Sequence, residues 1–256
     1  TIRNAWKIPD LRRKIIYTIF LLVVFRFGSV IPVPWIDKNI LQNWLNSAQG
    51  STLFDLLDTF SGGAFSQATI FAMSISPYIN SSIIMQLLCV AIPALERMSK
   101  EGEEGRKKIT KITRYVTVAL AALQAYGLFV TLHNQGAIMT VPGVPKVLVG
   151  FTIILAFTAG TAFLMWLGEE ITGKGIGNGI SMLIFAGIVS RIPTMMQTAW
   201  KGFVPTGKWY MLIILLIYSI ASIMFVVLVN EAERRIPVQY AKRVVGRKMY
   251  GGQSSN

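Results

Sequence analysis

The clearest pattern in the chain is a series of long apolar runs, separated by charged or turn-rich segments. Each run has about the 20 residues that an α-helix needs to cross a bilayer. Tryptophan and tyrosine stand at several run ends, as is usual at a membrane interface. The pattern therefore predicts an all-α, polytopic membrane protein with six transmembrane helices. The runs are Ile15–Pro32, Thr69–Ile92, Tyr115–Leu132, Val147–Leu167, Ile180–Thr198 and Trp209–Asn230.

One amphipathic stretch, Leu53–Phe60, is too short to span a membrane. Its apolar residues share one helical face, which places Asp55 and Asp58 on the opposite, solvated face. Gly62–Gly63 follows as a flexible joint, and Pro77 interrupts the next run. Irregular backbone at membrane depth is tolerated only inside protein or along a watery cavity, so we expect a pathway here with the short helix lying in it. The apolar face consists of Leu53, Phe54, Leu56, Leu57 and Phe60.

Composition and charge agree with membrane insertion. Of the 256 residues, 53% are hydrophobic and 14% are charged, yet the net charge is +13. Most lysines and arginines lie before the first run, between the second and third, and after the sixth, so both termini are expected in the cytoplasm. This divides the chain into a cytoplasmic amphipathic N-terminus (1–14), a membrane-spanning region (15–230) and a cytoplasmic basic loop (231–256).

Residues that could carry chemistry are sparse. His133, the single histidine, has no evident nucleophile to activate, and the scattered carboxylates form no metal cluster. The glycines within 173–179 join two membrane helices instead of following a strand, which disfavours a phosphate loop. Arg26 lies inside a run, where a structural role such as pairing with backbone carbonyls is favoured over a functional one. The lone Cys89 is expected to pack as a small hydrophobe. We therefore predict neither enzymatic activity nor a cofactor.

The segment after the sixth run is strongly basic and extends well past the membrane boundary. Ile236–Tyr240 and Val244–Tyr250 are predicted to pair as a hairpin around Gly246. A protruding basic hairpin favours docking to an acidic partner or nucleic acid, and a ribosome offers both. The alternative is a simple positive-inside anchor. The basic residues are Arg234, Arg235, Lys242, Arg243, Arg247 and Lys248.

Several stretches together resemble the SecY family, the central subunit of the bacterial protein-translocation channel. They occur in the family's order and cover most of the chain. The stretches are FRFGSVIPVPWID, FSGGAFSQATIFAMSISPYINSSIIMQLL, KEGEEGRKKITKITRY, FLMWLGEEITGKGIGNGISMLIFAGIV and RRIPVQYAKRVVGRKMYGGQSS.

The resemblance implies roles for matching positions. The stretch from Leu53 to about Phe65 would form a plug that closes the pore from outside. Asn80 and Gln124, buried amides whose ordinary role is hydrogen bonding between helices, would lie near the lateral gate. The basic loop would dock the ribosome or the SecA motor, and SecE and SecG would be companion subunits. Four isoleucines would form part of the hydrophobic pore ring: Ile75, Ile79, Ile180 and Ile184. Their spacing alone shows only that they form two pairs, each on one helix face.

A member of this family would conduct unfolded secretory proteins across the bacterial cytoplasmic (inner) membrane and release apolar segments sideways into lipid. A ring of isoleucines suits that task because it offers a passing chain no charge or hydrogen bond and can dewet when closed. The family has ten spans and this chain shows six, so we expect helices 7–10 to be absent and the pore to be incomplete without them. Half of a secondary transporter is disfavoured by the scarcity of carboxylates in the runs, and an intramembrane protease by the missing dyad.

Overall fold

The computed structural model describes residues 8–46, 58–139, 143–205, 207, 209–233, 243–245 and 248–250. The chain divides into two compact units, Thr1–Pro193 and Thr194–Asn256. The first unit contains the helices that build the candidate site.

Helices dominate the described residues. The first unit contains α1 (Pro9–Gly28), α2 (Lys38–Asn46), α3 (Ser76–Ala91), α4 (Pro93–Lys100), α5 (Glu103–Asn134), α6 (Lys146–Lys174) and the larger part of α7 (Gly179–Phe203). The remainder of α7 belongs to the second unit, with α8 (Tyr210–Glu231) and the strands β1 (Arg243–Val245) and β2 (Lys248–Tyr250).

The prediction of an all-α, multi-span membrane protein is confirmed, although the number of spans differs. Among the described residues, four helices are long and apolar enough to cross a membrane: α5, α6, α7 and α8. Helices α3 and α4 pass the same test together, with a bend of 101° between them. Helix α1 has 20 residues, but Arg12, Arg13 and Lys14 near its start and Arg26 near its end reduce its apolar length. The count is therefore four or five by length and composition, against the six predicted.

The helices of the first unit pack through small and aliphatic side chains. Helix α5 packs against both α3 and α6, and α1 packs against α6. Ala121 and Ala125 of α5 are fully buried beside Ile153 and Phe157 of α6, because alanine lets two helix backbones approach closely. Between α3 and α5 the buried hydroxyl groups of Ser81 and Thr117 lie 2.5 Å apart, so these two helices share a polar contact as well.

Residues 58–75, which we call the inserted segment, run among these helices with little regular structure. They are helical only at 58–60 and continue as turns as far as 75. The predicted second run, Thr69–Ile92, is therefore wrong at its start, because the helix begins at Ser76. Pro77 falls in the first helical turn, where an amide hydrogen is not needed. It therefore does not kink the helix, contrary to the prediction that it interrupts the run.

The backbone of the inserted segment is hydrogen-bonded to the chain that follows α1. The Val33 amide donates to the Ala68 carbonyl at 2.9 Å, and the Ile70 amide donates to the Ile31 carbonyl at 3.1 Å. These bonds supply partners that a buried turn lacks on its own. An irregular segment can therefore lie inside the helical unit without leaving these polar groups unpaired.

The second unit contains a short antiparallel pair of strands within the predicted hairpin region, but the strands differ from those predicted. Strand β1 pairs antiparallel with β2, with Arg243 opposite Tyr250 and Val245 opposite Lys248. Val244 therefore belongs to the first strand, whereas the prediction places it in the second. The proposed partner strand, Ile236–Tyr240, lies outside the described residues.

Candidate functional site

The inserted segment buries its apolar side chains against α1, α6 and α7. Phe71 is 2% exposed, and its ring lies between those of Phe25 in α1 and Phe163 in α6, with 6.0 Å between centroids on each side. Packing of the ring contributes through van der Waals contacts, and each aromatic pair adds about 0.5–1.5 kcal/mol. The same cluster contains Leu21, Ala64, Ile75, Leu164, Leu167, Ile171 and Leu183.

The four isoleucines predicted to line a pore meet at this cluster. Ile75 ends the inserted segment and is buried, while Ile79 lies one turn later in α3 and is partly buried. Ile180 and Ile184, from α7, pack partly buried against the same cluster. The structure thus brings the two same-face pairs together, whereas their role as a ring remains a prediction.

A cleft of about 610 Å³ begins beside Ile79 and Ile180. Away from these isoleucines its walls carry polar groups from α3, α5 and α6 and from the turn before α7. They include Arg114 and Glu169, which form an ion pair at 2.7 Å. The apolar cluster is therefore bordered by a polar cleft that can hold water.

Glycines in two helices allow the inserted segment to lie directly on helix backbone. A Cβ at Gly160 of α6 would lie 2.0 Å from the Ile70 carbonyl oxygen, and one at Gly187 of α7 would lie 2.7 Å from the Phe60 carbonyl oxygen. Gly62 has φ +68°, and a Cβ there would meet the backbone of Gly187 at 3.0 Å. Any larger residue at these positions would displace the segment.

Arg26 connects the inserted segment to α1 and α7. Its Nη1 donates to the Gly62 carbonyl at 3.4 Å, to Ser190 Oγ at 3.3 Å and to Ser29 Oγ at 3.5 Å. The Ser190 hydroxyl in turn donates to the Gly187 carbonyl at 2.7 Å. Arg26 is therefore paired with a backbone carbonyl, which is the structural role that the sequence favoured.

Asp58 is buried, so the prediction that it lies on a solvated helix face is wrong. It is 5% exposed, and its Oδ1 accepts a hydrogen bond from the Ser66 amide at 2.8 Å. Its Oδ2 forms an ion pair with Arg191 of α7. A carboxylate can be buried when it is paired and hydrogen-bonded, and here the partner lies 133 residues away in sequence. Arg191 was missed although it lies inside the predicted run Ile180–Thr198.

The remaining predicted site residues have mixed outcomes. Asn80 is exposed, so its prediction as a buried amide is wrong, whereas Gln124 is partly buried. Phe60, expected on the apolar face, is 44% exposed and is held through its carbonyl, which accepts from Ser74 Oγ at 3.3 Å. Cys89 is partly buried. The predicted residues that lie outside the described part of the chain are Leu53, Phe54, Leu56, Leu57, Arg234, Arg235, Lys242 and Arg247.

These features define an α-helical, multi-span membrane protein in which an irregular segment is packed among the helices. The SecY family model matches residues 69–256. The chain is 44% identical over 259 residues to the protein translocase subunit SecY of Streptomyces scabiei, an alignment that covers 98% of this chain and 59% of that relative. The chain therefore belongs to the SecY family, and it spans about 59% of the length of this relative.

Solved structures show the same fold. A structure of a protein-conducting channel aligns with a TM-score of 0.53 at 23% identity, over 95% of this chain and 52% of that one. Sec61 in the canine ribosome–channel complex from the endoplasmic reticulum aligns with a TM-score of 0.53 at 23% identity, over 94% of this chain and 53% of that one. Both likenesses concern the arrangement of the helices.

Proposed function

We propose that this chain supplies the N-terminal part of a channel subunit, not an enzyme, which conducts unfolded secretory proteins across the membrane and releases apolar segments sideways into lipid. The observation that carries the proposal is the meeting of Ile75, Ile79, Ile180 and Ile184 in the cluster where the inserted segment is packed. These four side chains would form part of the pore ring. The inserted segment, with the residues just before it, would form the plug.

The chemistry of this cluster suits a passage for chains of any sequence. Isoleucine offers neither charge nor hydrogen bond, and its branched Cβ keeps the side chain stiff. A narrow apolar ring dewets when nothing passes, which resists ions. The polar cleft beside Ile79 and Ile180 would keep an approaching chain hydrated until it reaches the ring.

Membrane placement and partners are part of the same proposal. The bacterial relatives support a bacterial cytoplasmic membrane, and the basic segments support an N-terminus in the cytoplasm. The basic hairpin β1–β2 would dock the SecA motor or a ribosome, including its RNA, and the Sec61 neighbour in a ribosome–channel complex supports the second choice. SecE and SecG would complete the assembly. Asn80 on α3 and Gln124 on α5, two helices that pack together, would border the lateral gate.

A photo-crosslinking experiment tests this function. A photoreactive amino acid at Ile79 of the full-length subunit, in a complex with its companions, should capture a stalled secretory precursor. The matched control is Ile84 of the same helix, which points about 140° away and is 40% exposed. Capture of the precursor from Ile84 but not from Ile79 would contradict the proposed path.

A further inference from the structure

The inserted segment is fastened by charged contacts as well as by apolar packing. Two guanidinium groups reach it from different helices, Arg26 from α1 and Arg191 from α7. Arg26 binds the Gly62 carbonyl, and Arg191 binds the Asp58 carboxylate. The contacts lie four residues apart, so both hold the front of the segment.

The Asp58–Arg191 pair is stable only while the segment is in place. The Arg191 side chain is 28% exposed and that of Asp58 is 8% exposed, so separation without hydration would leave two poorly solvated charges. Movement of the segment into water would hydrate both groups. The pair therefore favours one position of the segment and permits its reversible release. Apolar packing alone would define that position less sharply.

Arg26 adds a second fastening that depends on the same position. Its Nη1 contacts Ser190 of α7 as well as the Gly62 carbonyl, so a single group joins α1, α7 and the segment. The close approach of Gly62 to Gly187 sets the position of that carbonyl. A shift of the segment would therefore lengthen the Arg26 contact together with the ion pair.

We propose that Asp58, Arg191 and Arg26 form a polar latch that holds the inserted segment in its closed position and sets how often the channel opens at rest. The three are positioning residues, because they act through the segment and not on the passing chain. The latch rests on the proposed function, in which the inserted segment closes the pore.

The test is the resting ion conductance of the complete complex, containing the full-length subunit and its companions, in planar bilayers with potassium chloride and no precursor. Arg191→Gln leaves the buried Asp58 without its ion-pair partner and should raise the resting open probability about tenfold or more, as expected for loss of a charged hydrogen bond. Asp58→Asn should have a smaller effect, because Arg191 is more exposed than Asp58. The double variant, Arg191→Gln with Asp58→Asn, should conduct less than Arg191→Gln alone. In the double variant no buried carboxylate is left without an ion-pair partner.

The matched control is Glu96→Gln, which removes one charge from the exposed Glu96–Lys100 pair on α4 and should leave conductance unchanged. Equal conductance of wild type and Arg191→Gln, or strictly additive effects in the double variant, would overturn the latch. Should Arg191→Gln fail to assemble, Asp58→Asn gives the test from the other side of the ion pair, and a wild-type conductance for that variant would also count against the latch.

The proposed function and the latch fail in different ways. Translocation of a precursor by the wild-type complex is measured in the same preparation. Absence of translocation would reject the channel function itself. Normal translocation with unchanged resting conductance in Arg191→Gln would reject only the latch.

Discussion

Replacement of Gly160 by alanine gives a direct test of how the inserted segment is packed. The new Cβ would lie 2.0 Å from the Ile70 carbonyl oxygen and 2.8 Å from its carbon. A normal carbon–oxygen contact is about 3.3 Å, so the segment or α6 must move by roughly 1.3 Å. The nearest atoms belong to backbone, so a side-chain rotation cannot relieve this clash.

The size of the effect can be worked out from the contacts that the shift disturbs. Overpacking of a core typically costs about 1–3 kcal/mol. Weakening of the Ile70–Ile31 and Val33–Ala68 backbone bonds adds about 1 kcal/mol each, since they hold the same stretch. We therefore expect Gly160→Ala to lower the free energy of unfolding by about 3–5 kcal/mol, which corresponds to a fall in Tm of about 10 °C.

The assay is thermal unfolding of the chain in detergent, followed by circular dichroism, with hydrogen–deuterium exchange of residues 64–72 as the local readout. Gly127→Ala in α5 is the matched control, because no described atom lies within 4 Å of its Cβ position. It should be neutral or stabilising by up to about 1 kcal/mol. A Tm for Gly160→Ala equal to that of Gly127→Ala, with unchanged exchange, would refute the close-approach argument.

Two further predictions concern contacts elsewhere in the chain. Thr117→Val should lower the free energy of unfolding by about 0.5–1.5 kcal/mol, because the Ser81 hydroxyl loses its contact with Thr117 and keeps only the Tyr78 carbonyl, and adding Ser81→Ala should then cost less than Ser81→Ala alone in the same melting assay. An additive double variant would show that the two hydroxyl groups are independent. Arg243→Glu with Lys248→Glu should weaken binding to ribosomes or SecA in sedimentation assays, most strongly at low salt. Unchanged affinity at every salt concentration would leave the hairpin without a docking role.

The positions of several spans could be predicted because they depend on local composition. The runs near 115–132 and 147–167 fall inside α5 and α6, and the run 209–230 matches α8 except for its first residue, since an apolar stretch of that length has few alternatives in a bilayer. The two isoleucine pairs were likewise visible as helix faces. Their meeting at one cluster could not be seen, because it depends on how α3 and α7 pack.

The predicted helix at residues 69–75 is wrong for a physical reason. Residues 69–75 are almost continuously apolar, which is compatible with a buried helix and equally with a buried turn. Ser74 has φ +53°, a backbone conformation that no hydropathy pattern reveals. Asp58 was placed in solvent because its partner, Arg191, becomes a neighbour only after folding. The one local signal for this ion pair is the presence of a basic residue, Arg191, inside an apolar run.

The pairing of the inserted segment with residues 31–33 limits which part of it can move. Ala68 and Ile70 are tied to the loop after α1 by backbone hydrogen bonds, whereas residues 58–66 are held by hydrogen bonds within the segment, by Arg26 and Arg191, and by the burial of Ala64 and Phe65. If the front half swings out, as the proposed function requires, these backbone bonds would keep the rear half anchored, with the turning point just ahead of Ala68. The moving part would then end before Ala68, and it could return to its site without refolding the helices around it.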